Sequence, residues 1–200
     1  PAMNGRTTEQ PNSRTHLPSV PWRVVSTRAL HTHDHLTLRE KVIETPAGPR
    51  TYCILEVGRT VAIVPLLDDG RVVLVRQYRH VAGRDSWEIP AGGVGPDEDV
   101  LAAAQRELRE EAGYRAACLA HLTTFQPSNA YVDETAYLYL ATGLVLDPLP
   151  ADADEVFVVS PFPLEQAVRM ALAGEIFDGL TVAGLLAADR LRRTGQLPPA

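Results

Sequence analysis

Two hundred residues suit one domain, or a catalytic domain with a small appendage, and they suffice to bury a core without disulfides. At 45% apolar and 22% charged residues, the composition is that of an ordinary globular chain. A net charge of −6 argues against nucleic-acid partners, whose phosphates demand an excess of lysine and arginine.

Residues 1–19 are rich in Pro, Asn, Ser, Thr and Arg without periodicity, which predicts a disordered tail. The segment up to Arg23 has no signal-like apolar run, and no stretch approaches a membrane span. The expectation is a cytoplasmic protein with no membrane partner. Strands are predicted at Trp22 to Leu30, Leu36 to Glu44 and Tyr52 to Val57, with Thr45-Pro46-Ala47-Gly48-Pro49 as the turn between the last two. Their apolar content is too low for an independent core, so they need a partner surface.

Val61 to Leu67 is a buried-strand run, Asp68-Asp69-Gly70 a hairpin signal, and Val72 to Val75 the return strand. Trp87 to Pro90 leads into Ala91-Gly92-Gly93-Val94-Gly95. A helix is predicted over Asp97 to Ala112, with acids in its first turn and Gly113 at C′. Strands follow at Cys118 to Phe125, Thr135 to Thr142 and Val156 to Ser160, then helices at Leu164 to Ala173 and Leu180 to Arg193. Mixed strands flanked by helices indicate an α/β sandwich. Cys53 and Cys118 both lie in apolar runs and are expected to be small buried hydrophobes.

The helix after the glycines is the most informative segment. At about 100° per residue, Leu101, Ala104, Leu108 and Ala112 form a stripe predicted to face the sheet. Glu107, Glu110 and Glu111 gather on one flank of that stripe, with Arg106 and Arg109 expected on the other. Glu107 and Glu111 are i,i+4 neighbours, and Glu107 and Glu110 are i,i+3. Crowded carboxylates toward a helix C-terminus repel one another and oppose the macrodipole. A hard divalent cation removes that penalty, and all-oxygen ligation suits Mg²⁺ or Mn²⁺. A solvated acidic face is the bland alternative.

Gly92, Glu98, Arg106, Glu107, Leu108, Glu110, Glu111 and Gly113 stand at the spacing of the Nudix box, and the segment resembles the Nudix hydrolase family. Tyr114 departs slightly, where an aliphatic residue is usual. The resemblance implies a Nudix α/β/α sandwich with a mixed sheet over about 58–195, preceded by a small antiparallel β subdomain over 20–57. It implies metal bound by Glu107, Glu110, Glu111 and the carbonyl of Ala91, with Gly92, Glu98, Arg106 and Gly113 shaping the motif. Arg76-Gln77-Tyr78-Arg79, Trp87-Glu88-Ile89-Pro90-Ala91-Gly92, Pro127 with Asp133-Glu134, and Gly174-Glu175-Ile176 with Asp178 and Thr181 resemble the ADP-ribose pyrophosphatase branch. Many relatives have Ser-Pro-Gly where this chain has Pro127-Ser128-Asn129.

That branch implies Mg²⁺-dependent hydrolysis of ADP-ribose to AMP and ribose 5-phosphate. Other nucleoside diphosphate sugars, nucleoside triphosphates or a non-catalytic ligand sensor are the alternatives. The intact carboxylate set argues against the sensor. The resemblance also implies that Arg79 and Glu134 touch substrate, with Arg79 on the diphosphate. It implies a homodimer whose residues 20–57 line the partner's pocket, where Trp22 stacks on adenine or packs as an ordinary edge residue, and Arg50 contacts the same ligand. Glu155 fits either a general base on a mobile loop or a solvated charge run, with Asp152 and Asp154 as substitutes. His31, His33 and His35 suit a turn as well as a metal cluster.

Overall fold

The computed structural model describes residues 22–33, 36–150 and 157–197. Glu155, His35 and the tail over residues 1–19 lie outside these residues. A hairpin of β1 (Arg23–His33) and β2 (Leu36–Thr45) leads into β3 (Gly48–Pro65). Then come β4 (Arg71–Arg79), β5 (Arg84–Glu88), β6 (Ala91–Gly93) and α1 (Val100–Glu111). The chain closes with β7 (Tyr114–Phe125), β8 (Val132–Leu146), β9 (Val158–Pro163), α2 (Leu164–Leu172) and α3 (Gly179–Arg193).

One sheet runs β1-β2-β3-β8-β7, with β6 also on β3, and a smaller one runs β5-β4-β9. The β3–β8 ladder is parallel and the other ladders are antiparallel, so the large sheet is mixed. The turn before β3 forms as its residues dictate. Gly48 takes φ 103°, a left-handed value, and the Thr45 hydroxyl donates to the Gly48 carbonyl at 2.8 Å.

β3 is the spine of the molecule. Its first part pairs with β2, and its last part pairs with β6 on that same edge and β8 on the other. The boundary expected at 57/58 falls inside this strand, where Gly58 (φ 95°) sits at a register shift against β8. Beyond it, side chains alternate between two cores. Val61 and Ile63 pack with Val73, Val75, Ala104 and Leu108 under α1. Ala62 and Val64 pack with Leu74, Ile89, Leu138, Leu164 and Leu185 under α2 and α3. A strand buried on both faces reads as a continuous apolar run, which is why Val61 to Val64 carries no alternation. Before Gly58 no residue of the strand is fully buried, and β1 is exposed along its whole length. Among the described residues no helix is long and apolar enough to cross a membrane.

Four expectations are corrected. The helix starts at Val100 rather than Asp97, because the Asp99 carboxylate caps it by accepting the N–H groups of Leu101 and Ala102. Its first turn therefore carries no acid. Leu101 is 47% exposed rather than core, because the buried arc centres on Ala104, Glu107, Leu108 and Glu111 and leaves Leu101 in an open first turn. Cys53 is exposed and Cys118 only half-buried, since Cys53 lies on the ribbon half of β3 and Cys118 on the edge strand β7. His31 and His33 belong to β1, opposite Leu38 and Leu36, rather than to a turn.

Candidate active site around the glycine segment and helix α1

The site forms where β6 passes beneath α1. β6 is stitched to β3 by the pairs Thr60–Gly93, Val61–Gly92 and Ala62–Ala91, and flanked by the Ile63 N–H to Pro90 and Val94 N–H to Arg59 hydrogen bonds. Against this strand α1 presses two acidic side chains. Glu107 is 8% exposed and Glu111 5%, unusual values for carboxylates. Glu111 accepts the Ala91 N–H at 3.0 Å. The Glu107 carboxyl lies where a Cβ on Gly92 would fall, only 2.2 Å away. Gly92 is thus a glycine by space rather than backbone angle, and a side chain there would expel Glu107.

Arg106 ties the motif together. It was expected on the opposite flank from the acids, yet its Nη1 donates to Glu107 Oε1 at 2.7 Å and to Glu110 Oε2 at 2.9 Å. Its Nε donates to Glu98 Oε1 and its Nη2 to Glu98 Oε2, at 2.9 and 3.0 Å, and Nη2 also donates to the Gly93 carbonyl. Only about 40° separates Arg106 from Glu110 on the wheel, and a long guanidinium spans that arc. Glu98 is held well below the usual carboxylate range, from 4.5 to about 2, chiefly by Arg106 and then by the Gly95 N–H. Arg106 is raised in turn, Glu98 being the main cause. Gly113 closes the helix with φ 76°.

Arg79, at the end of β4, lies beside the same centre. It grips the buried carboxylate of Glu88 (3% exposed) through Nε, at 3.0 and 3.1 Å, and through Nη2. Its guanidinium is stabilised in the charged form first by Glu88, and feels Asp178 and Glu111 as well. Glu134 sits at the start of β8 and accepts the hydroxyl of Thr60, the residue paired with Gly93, at 2.8 Å. Arg50 is exposed on the early part of β3. Trp22 is 53% exposed, with its ring 6.5 Å from that of Tyr52. These two residues stand on the β1–β3 ribbon, apart from the acids of α1. A cavity of about 160 Å³ opens where the ribbon meets the β7–β8 loop, lined by Lys41, Ile54, Gln126, Tyr131 and Asp133 among others. It adjoins the start of β8 rather than α1.

Two residues had no sequence-level assignment as site residues. Arg59 donates to the carbonyls of Gly95, Pro96 and Glu98, at 2.7, 3.1 and 3.3 Å, and holds the loop before the helix. Glu88 is the partner of Arg79. The signals for Glu88 are an acid interrupting an apolar run, between Trp87 and Ile89, and its place in the branch-like segment Trp87 to Gly92.

Among the described residues no three His, Cys, Asp or Glu side chains converge as a metal site. Glu107 and Glu110 are drawn onto Arg106 and Glu111 onto Ala91, so the expected trio does not share one point. The donor set still fits a hard cation, because two buried carboxylates face a strand whose glycine leaves room for them.

A strand, a glycine turn and an acidic helix in an α/β/α sandwich define the class, and comparisons give the family. A family model described as NUDIX domain matches residues 57–181, and the chain belongs to the Nudix family. It is 36% identical to an ADP-ribose pyrophosphatase of Mycobacterium tuberculosis, over 83% of this chain and 82% of that protein. It is 31% identical to a CMP-5'-(N-acetyl-N-hydroxy-3-aminopropyl)phosphonate hydrolase of Streptomyces rubellomurinus, over 88% and 86%. A crystal structure of an ADP compounds hydrolase shares the fold with a TM-score of 0.76 at 22% identity, covering 88% of this chain and 97% of that one.

Proposed function

We propose that this protein hydrolyses the diphosphate linkage of ADP-ribose, adding water to give AMP and ribose 5-phosphate. The observation that carries the reading is the pair of buried carboxylates, Glu107 and Glu111, set against Ala91-Gly92 beside the half-exposed guanidinium of Arg79. Its support on the substrate side is the likeness to the mycobacterial pyrophosphatase. Glu107, Glu110, Glu111 and the Ala91 carbonyl would hold a divalent cation, Mg²⁺ by preference and Mn²⁺ as a substitute. Such a cation would neutralise diphosphate charge and lower the pKa of the attacking water.

Arg79 contributes a fixed positive charge to the diphosphate, and Arg106 with Glu98 keeps the helix and loop in register. The base that takes the proton is assigned to the acidic segment 152–155, with Glu155 first. In this reading the protein is a homodimer whose β1–β3 ribbon completes the partner's pocket with Trp22 and Arg50. The exposed apolar side chains of β1 support it, among them Val24, Val25 and Leu30.

The test is kcat/KM over ADP-ribose, UDP-glucose, GDP-mannose, a CMP-linked phosphonate and dGTP, with products identified. ADP-ribose should lead. A tenfold lead by another substrate, about 1.4 kcal/mol of transition-state preference, overturns the assignment.

A further inference from the structure

We propose that Glu88 is a positioning residue for substrate, acting through Arg79; this rests on the reading of Arg79 given above. A guanidinium has two edges that can each meet an oxyanion bidentately. In Arg79 the edge formed by Nε and Nη2 is spent on Glu88. Nη1 has no hydrogen-bond partner among the described residues, so the second edge is open. Exposure divides the pair in the same way. The Glu88 side chain is 4% exposed and that of Arg79 47%, so the acid is the inner anchor and the arginine the outer hand.

The anchor is itself fixed. Val75 pairs with Glu88, Gln77 with Ser86 and Arg79 with Arg84, so all six side chains project from one face of the β4–β5 ladder. Arg79 therefore reaches back along its own strand, past Gln77, to Glu88. The next residue, Ile89, donates its N–H to the Thr181 hydroxyl at 3.0 Å. That hydroxyl donates to Asp178, the cap of α3, at 2.6 Å. A helix terminus thus locks the backbone beside the anchor, and the anchor sets the plane of the guanidinium.

Glu88 also has an electrostatic consequence. A buried carboxylate that neutralises Arg79 ought to weaken its pull on an anion. It is tolerable only if holding the open edge in place matters more than net charge, as preorganisation demands. Removing the acid therefore weakens diphosphate binding even though it unmasks a positive charge. A purely electrostatic role predicts the opposite sign.

The experiment measures binding of the α,β-methylene analogue of ADP-ribose to the full chain by calorimetry, with thermal unfolding of every variant. Arg79→Lys keeps a cation for Glu88 and loses the second edge. Glu88→Gln keeps the shape of the anchor and loses its charge. Each should weaken the analogue by roughly tenfold, the worth of a hydrogen bond to a charged group. Glu88→Asp should recover most of the loss, and Glu88→Gln in the Arg79→Lys background should add less than about twofold, because coupled residues are not additive. Unchanged or tighter binding by Glu88→Gln, or an equal loss in both backgrounds, overturns the proposal and leaves Arg79 in place. Unchanged binding by Arg79→Lys overturns the reading of Arg79 and the proposal with it. Should Glu88→Gln fail to fold, Glu88→Asp carries the same test, with a loss of about threefold that vanishes beside Arg79→Lys.

Discussion

The two halves of β3 belong to different worlds. Up to Glu56 it is the third strand of a ribbon in which every residue of β1 is exposed and ion pairs such as Arg23–Glu44 and Arg28–Glu40 lie in water. From Val61 it is the centre of a sandwich whose side chains are buried on both faces. Exposed ion pairs contribute little, and an isolated ribbon is marginal, so ladder hydrogen bonds alone hold β1 within one chain. The sandwich buries its side chains on both faces, whereas the ribbon leaves the apolar side chains of β1 exposed. The buried carboxylates Glu107 and Glu111 lie with the sandwich half. The proposed dimer gives the ribbon half its role in assembly and substrate reach.

The largest test of that division is Glu111→Gln. Gln retains an oxygen for the Ala91 N–H, so the fold should hold or gain slightly in melting temperature. Turnover should fall by about a hundredfold or more, about 2.7 kcal/mol. Light scattering should show an unchanged oligomer, and near-normal turnover at saturating Mg²⁺ would remove Glu111 from the site.

Gly92→Ala comes next. The new methyl meets the Glu107 carboxyl, the mobile end of a side chain, so the fold can adjust while the acid moves. Activity should drop by about tenfold, about 1.4 kcal/mol of transition-state stabilisation, with little loss in melting temperature. A large fall in melting temperature with normal specific activity would contradict that.

A stability pair compares the halves directly. A Cβ on Gly184 would lie 2.9 Å from both Ile89 and Val64, so Gly184→Ala should cost about 1–3 kcal/mol by denaturant unfolding. Val24→Ala should cost no more than about 0.5 kcal/mol in dilute protein. A larger cost there would break the comparison. A cost that emerges only as chains associate would sharpen it.

Trp22→Ala should raise KM by about threefold with kcat preserved, since stacking holds a base equally in ground and transition states. A monomer with full activity would return Trp22 to ordinary packing.

The smallest effect is with pH. The carboxyl of Glu98 is depressed in the folded chain from 4.5 to about 2. Its contribution is therefore present in full above about 4.5 and disappears as pH falls through about 2. The melting-temperature gap between the wild type and Glu98→Gln should narrow across that window. A constant gap would mean that the Arg106 contact adds nothing.

Most of the catalytic half was legible in the sequence because it is made of local patterns. The spacing from Gly92 to Gly113 specifies a turn and a helix and puts Glu107 and Glu111 on one side, whatever lies around them. The run from Val61 to Val64 announces two-sided burial by its lack of polar residues. Other features depend on long side chains and cross-strand register. Arg106 reaching around to Glu107 and Glu110, Arg59 gathering the loop, and Arg79 finding Glu88 nine residues away cannot be read from periodicity. The exposure of Cys53 and Leu101 is of the same kind, since apolar neighbours in sequence need not be neighbours in space.

The sequence by itself determined the family and set Glu107, Glu110 and Glu111 on a helix just after a glycine segment, because each rests on spacings of a few residues and on backbone preferences that act locally. Tertiary structure decided which of those acids are buried, that Arg106 meets Glu107 and Glu110 while Ala91 meets Glu111, and that a single strand runs from the ribbon into the core. Those outcomes follow from packing β6 under α1 and β5 beside β4. Packing brings together groups far apart in the chain, and desolvation then selects the charged partners that remain paired.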